Sequence, residues 1–362
     1  MNLFQEKKGF GILVWMLFIA IAIIGLVFIY AAIRALLYEN GPDVPDFNKS
    51  ELNPSNLKGV YKMVSGQKFF ITNDQLYLVK ADGSLERLAI YFDDNYFADN
   101  YVQESGILYR KDLNTGAKYA TRTQMSEGFE NADKIGDLIN PERGWTDLTL
   151  QSPLAKTPAD YVPLGQAIVK GTADFKDNVV DISGDRAHSG SKSLKAYSVS
   201  PSSGMVTAKA RLGTELLNFV SGDNVWYEAW YYLDEGRPIA IMELESTWIQ
   251  QYPGIRIRMD ENDNLMVEFK DYEKPNYKQE AGKEIAFPRK QWVKVKLHLK
   301  LDFENGLIEL WQDDKKIIST NAQTLSLPGE IYNTVGFGVT ANYAGQDTTL
   351  YVDDVKISNS AF

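Results

Sequence analysis

The chain has 362 residues, 44% of them hydrophobic and 12% aromatic, which supports a sizeable core and excludes bulk disorder. Its formal net charge of -10 repels phosphate backbones and argues against nucleic acid as a partner. There is no cysteine, so disulfides, thiol nucleophiles and thiolate-bound metals are excluded.

Residues 9–33 carry no charged side chain and are almost uniformly apolar. About 20 such residues span a hydrocarbon core as a helix, whereas the apolar part of a cleaved signal is only about 7–15 residues long. The run therefore predicts a single transmembrane helix that ties the chain to the lipid bilayer. Lys7 and Lys8 precede it, while Arg34 follows with Glu39, Asp43 and Asp46. This bias predicts a cytoplasmic N-terminus and a periplasmic or extracellular remainder.

Residues 1–38 thus read as cytoplasmic stub and anchor, and residues 39–57, rich in Pro, Asn, Asp and Ser, as a linker. Residues 58–123 predict a small β-module, because short strand-like runs at 59–64, 68–72 and 75–80 alternate with turn residues. Residues 124–362 predict a larger all-β domain in which helical periodicity is absent apart from a turn near 214–220. The clearest alternation is Trp292–Lys300: Val293, Val295, Leu297 and Leu299 share one face, and Lys294, Lys296, His298 and Lys300 share the other. Asn305-Gly306 then signals a hairpin into Leu307–Trp311. Many short antiparallel strands at this spacing predict a sandwich or jelly roll.

Four segments together resemble the concanavalin-like jelly rolls, in particular the heparin-lyase-type polysaccharide lyases and laminin-G-like domains. They are Gly184–Lys195, the aromatic-rich Val225–Leu233, the Trp-led stretch Gln291–Trp311, and the closing Thr349–Ile357. The resemblance implies a sandwich over roughly residues 125–358 that handles polysaccharide. The heparin-lyase-like families carry a Gly-x-Tyr-Arg pattern on the penultimate strand; here Val335–Tyr343 places Gly338 where the tyrosine would stand.

Three constellations are candidates for chemistry. On one strand face Trp226, Glu228, Trp230 and Tyr232 alternate, and on another Glu243 and Glu245 do, with Trp248 following. Rings can stack on the C–H face of a sugar and carboxylates can bind its hydroxyls, so these are glycan-binding candidates. Glu243 and Glu245 also invite comparison with retaining hydrolases, whose carboxylates stand about 5–5.5 Å apart. Alternatively, both acids face solvent beside core aromatics.

The second constellation serves β-elimination from a uronate, which needs a cation for the carboxylate and a base for the C5 proton. Arg256 and Arg258 share a strand face, with Gln250, Gln251 and Tyr252 just before them, Tyr272 and Tyr277 further on, and His298 on another strand. Here too a plain reading exists, in which basic residues alternate with aliphatics because one sheet face meets water. The third constellation is a structural Ca2+ expected at Glu130, Asp353 and Asp354, clamping the domain's terminal strands.

These features predict a membrane-anchored, extracytoplasmic glycan-binding or envelope scaffold protein. A polysaccharide lyase using Arg256, Arg258, His298 and Tyr252 is the first alternative. An accessory β-domain subunit that binds a partner protein of a membrane complex is the second.

Overall fold

The computed structural model describes residues 59–64, 67–72, 75–91, 100–112, 115–249, 252–271 and 275–362. The expected anchor at 9–33, the linker, Gln250, Gln251 and Tyr272 lie outside these residues. Among the described residues no helix is long and apolar enough to cross a membrane.

The first strands form two small antiparallel sheets. One is the meander β1 (Val60–Val64), β2 (Gln67–Ile71), β3 (Gln75–Val79) and β4 (Leu85–Tyr91). The other contains β5 (Tyr101–Glu104), β6 (Ile107–Lys111) and β7 (Lys118–Ala120). This second sheet is fastened to the larger domain by Tyr101, whose ring packs on Trp248 with centroids 5.1 Å apart. The Tyr101 hydroxyl donates to the Glu215 carbonyl (2.8 Å) and accepts from Asn333 Nδ2 (2.7 Å).

The larger domain opens with β8 (Gln124–Glu127), α1 (Ile135–Leu138), β9 (Asp147–Thr149) and α2 (Pro158–Val169). Next come β10 (Val179–Ser183), β11 (Ser193–Ser198), β12 (Ala210–Thr214), β13 (Asn224–Glu235) and β14 (Pro238–Glu245). Then follow β15 (Gly254–Met259), β16 (Leu265–Lys270), β17 (Asn276–Tyr277), β18 (Trp292–Lys300) and β19 (Gly306–Gln312). The last three strands are β20 (Lys315–Ala322), β21 (Thr334–Asn342) and β22 (Thr348–Ser358).

Two antiparallel sheets pack face to face. The front sheet runs β17-β16-β15-β14-β21-β12-β9, and the back sheet runs β10-β11-β22-β13-β18-β19-β20, with β8 added beside β22. Period-2 alternation decides which side chains lie between them. On β13, Val225, Tyr227, Ala229, Tyr231 and Leu233 are buried in the core, and Trp226, Glu228, Trp230 and Tyr232 point outward. On β14 and β15, Leu244, Ile255 and Ile257 are core, which turns Glu243, Glu245, Arg256 and Arg258 to the outer face of the front sheet.

One local expectation needs correction, and two other sequence features find a physical reason. A 12-residue helix, α2, stands at Pro158–Val169. Its start is written in Thr157-Pro-Ala-Asp160, where the Thr157 amide and hydroxyl both donate to the Asp160 carboxylate at 2.9 and 2.7 Å, a capping box with proline inside the first turn. The turn between β18 and β19 is built on Asp302, which accepts from the amides of Glu304 (2.8 Å) and Asn305 (2.7 Å), and Gly306 already belongs to the strand. Gly338 is glycine for a backbone reason: its φ is +113°, and a Cβ there would stand 2.8 Å from the Ala210 carbonyl oxygen.

Candidate functional site

The front sheet carries one cross-strand row over six strands. Asp147 on β9 faces Gly213 on β12, Gly213 faces Gly336 on β21, and Gly336 faces Glu243 on β14. Glu243 in turn faces Arg256 on β15, and Arg256 faces Glu268 on β16. The two glycines leave a gap, and Arg211 fills it. A Cβ at Gly336 would lie 2.1 Å from Arg211 Nη1, and one at Gly213 would lie 2.9 Å from it. Lying in that gap, Arg211 reaches Glu243 on one side (Nε–Oε1 3.0 Å) and Asp147 on the other (Nη2–Oδ2 2.7 Å).

Around this row the charges interlock. Glu243 also has Arg256 Nε at 3.7 Å and Lys209 Nζ at 3.8 Å. Glu245 receives Lys270 Nζ at 2.8 Å and Arg256 Nη2 at 3.4 Å. Glu268 receives Arg258 Nη1 at 2.9 Å and Arg256 Nη1 at 3.4 Å. Glu243 is 1% exposed. Burial acts to raise its pKa, but Lys209, Arg211, Arg256 and Lys270 together outweigh burial and bring it down to about 2. Burial likewise works against the Arg256 charge, and Glu243, Glu245 and Glu268 more than restore it. For Lys270 burial wins and its pKa falls, although Glu245 opposes the fall.

Two tyrosines flank the row. Tyr252 is half exposed at the left-handed corner after β14 (φ +50°), with Lys270 Nζ 5.9 Å from its ring centroid. Tyr161, on α2, has its pKa raised first by burial and then by Asp147, with Arg211 pulling the other way and Tyr252 adding to the rise. Where the row ends at Asp147, a cavity of about 330 Å³ opens against the three-stranded sheet, lined by Arg110, Tyr119, Gln166 and Glu215 among others.

The structure brings Arg256, Arg258, Glu243, Glu245 and Tyr252 to this one face. It separates them from the other expected residues. Trp226, Glu228, Trp230 and Tyr232 lie on the outer face of the back sheet, across the core. His298 is there too, stacked on Trp226 (centroids 3.8 Å apart). Its Nδ1 is bound to Glu309 Oε2 at 2.8 Å and its Nε2 to Asn224 Oδ1 at 2.9 Å, so it does not join Arg256 as a base. Trp248 is 1% exposed and packs on Tyr101, away from both faces.

Glu130, Asp353 and Asp354 serve one loop from two sides by hydrogen bonding. Glu130 accepts from the Ser191 and Lys192 amides (2.9 and 2.8 Å), and Asp353 accepts from the His188 and Ser189 amides (2.8 and 3.2 Å). Asp354 takes His188 Nδ1 (2.7 Å) and the Ser189 hydroxyl (2.8 Å). Among the described residues no group of three or more His, Asp or Glu is arranged to hold a metal ion. Sequence reasoning missed Arg211, Lys209, Lys270, Glu268, Asp147 and Tyr161. The pattern Lys209-x-Arg211-x-Gly213 with Gly336 on another strand was the available signal, legible only once the register is known.

A polysaccharide lyase family model matches residues 163–356, more than half of the chain and the stretch that holds all of the row except Asp147. The chain belongs to this polysaccharide lyase family, and its sandwich is a jelly roll. Among solved structures it is similar to the cellulose-induced protein Cip1, at 17% identity and TM-score 0.43 over 65% of this chain and 97% of that one. It is also similar to an endo-β-1,4-glucuronan lyase from the fungus Trichoderma reesei (12% identity, TM-score 0.43, 52% and 90% covered). A third is the alginate lyase AlgAT5 from polysaccharide lyase family 7 (10% identity, TM-score 0.39, 61% and 95% covered). A search of the curated proteins finds no match.

Proposed function

We propose that this protein is a membrane-anchored lyase that cleaves uronate-containing polysaccharide by β-elimination on the outer face of the front sheet. The observation that carries the reading is the set of four cations, Lys209, Arg211, Arg256 and Lys270, gathered around the buried Glu243 in the domain the lyase family model matches. A uronate's C5 proton becomes removable when its carboxylate is neutralised, and Arg256 and Lys270 supply that charge while their side chains stay about one-fifth exposed (21% and 20%). Tyr252 exchanges the proton: as the phenolate it takes H+ from C5, the C–H electron pair forms the C4–C5 double bond as the C4–O bond breaks, and the phenol so formed returns the proton to the departing oxygen. Arg211 positions Glu243, which in turn holds the Arg256 fork. The apolar run at 9–33 and its flanking lysines support attachment to a bilayer with the lyase domain exported.

One observation favours a second reading, glycan binding without turnover. Every cation of the cluster already has a carboxylate within 4.0 Å, and both histidines of the chain belong to the back-sheet side. Kinetics of detergent-solubilised full-length protein on alginate, polygalacturonate and hyaluronate separate the two. The lyase reading expects Tyr252→Phe and Arg256→Met each to lower kcat by at least ~100-fold while the fold persists. Polymer retention with no unsaturated product on any of the three supports binding alone.

A further inference from the structure

We propose a second polysaccharide-binding surface on the outer face of the back sheet, separated from the lyase face by the core and built to hold an anionic glycan chain. Four of the chain's seven tryptophans, Trp226, Trp230, Trp292 and Trp311, stand on this face, each partly exposed. They make ring contacts, two of them between register partners on β13 and β18. Trp226 stacks on His298, Trp230 stacks on His188 with centroids 3.7 Å apart, and Trp292 meets Tyr232 at 5.6 Å. Burial of such rings in the core would gain apolar energy, so their concentration on one outer face marks a surface that meets a partner.

The charge beside the rings identifies that partner. Lys296 Nζ stands 4.8 Å from the Trp226 ring centroid and 5.7 Å from that of Trp311. Among the described residues no carboxylate lies within ion-pairing distance of it. Glu228, directly opposite in the β13–β18 register, pairs instead with Lys356 (3.6 Å). In a protein of net charge -10 this leaves an uncompensated cation bracketed by two indoles. An ammonium flanked by rings matches a sugar that carries a carboxylate and presents a C–H face. Trp226 and Trp230 are four residues apart on one strand, about 13 Å, so they meet different sugars of an extended chain. Glu228, paired with Lys356, and Glu309, paired with Lys316, stand on the same face and can accept sugar hydroxyls along an extended chain, which favours a glycan as the occupant.

The inference takes its substrate class from the lyase reading, and the experiment keeps the two apart. Full-length protein carrying Tyr252→Phe, so that polymer survives, is run in affinity gels containing alginate or polygalacturonate, with and without Lys296→Glu, Trp311→Phe as the gentle companion change, and thermal unfolding to verify the fold. The expected result is about tenfold weaker retention with Lys296→Glu and a smaller loss with Trp311→Phe. In the background with Tyr252 intact, KM rises on long polymer while kcat on short oligouronates is unchanged. Unaltered retention and KM overturn the second surface even if turnover is normal. Binding of the protein to phosphatidylglycerol vesicles that is lost with Lys296→Glu, without any change in polymer retention, overturns it in favour of a bilayer. Lys296-dependent retention, together with no unsaturated product from the protein with Tyr252 intact, upholds the surface and sinks the lyase reading alone.

Discussion

Arg211 reaches Glu243 because two residues on neighbouring strands have no side chain. Glycine is weak in a strand interior, where it packs nothing and costs entropy, so a pair of them facing one another in register needs a reason. The guanidinium that occupies their place is the reason. Gly336→Val should therefore expel Arg211, strip Glu243 of its nearest cation and destabilise the fold by roughly 2–4 kcal/mol. The check is a lowered denaturant midpoint at unchanged m-value. A variant as stable as wild type would mean that the gap is not shaped for Arg211. The sequence made Arg256, Arg258, Glu243 and Glu245 legible, since each alternates with aliphatics on its own strand. Arg211 was illegible for the opposite reason: its importance comes from glycines on two strands, and single-strand periodicity carries no information about register.

At the level of elements, period-2 patterns predicted the strands well. The alternation Trp292–Lys300 appears as β18 with the expected aliphatic face inward, and Val225–Leu233 appears within β13 with Trp226, Trp230 and Tyr232 outward and Tyr227 and Tyr231 in the core. The same pattern says which face of a strand is wet but not which sheet the strand joins. That is why Trp230 and Glu243, grouped in one glycan-binding constellation, lie on opposite sides of the sandwich. Neighbours β13 and β14 are consecutive in the chain and joined by a short turn, yet they go to different sheets, a long-range outcome of packing. Helix α2 was missed although Thr157–Asp160 spells its start, because its apolar stripe is interrupted by Pro163 and by polar residues.

For the molecule as a whole, two buried carboxyls set opposite pH limits. Glu243, at about 2 in the fold against an ordinary 4.5, contributes stability that is present above 4.5 and lost as pH falls toward 2. Glu330 is the reverse. Burial pushes it up to about 8, Asp271 adds to the rise, and the Ser326 and Leu327 amides only partly oppose it. Between 4.5 and 8 the folded chain holds a proton that the unfolded chain has released, so stability falls as pH rises through that window. Glu330→Gln should flatten the decline: melting temperatures taken between about pH 5 and 9 fall in wild type and stay level in the variant. Parallel curves for both proteins would remove Glu330 as the cause.

Elimination and hydrolysis leave different chain ends, so mass analysis of the fragments released from a uronate polymer by the full-length wild-type protein bears on the central claim most directly. Fragments that end in an unsaturated uronate, each lighter by one water than a hydrolytic fragment of the same length, are the result expected from the cation cluster around Glu243. Fragments that have gained water, or polymer recovered intact from every uronate tested, would contradict it.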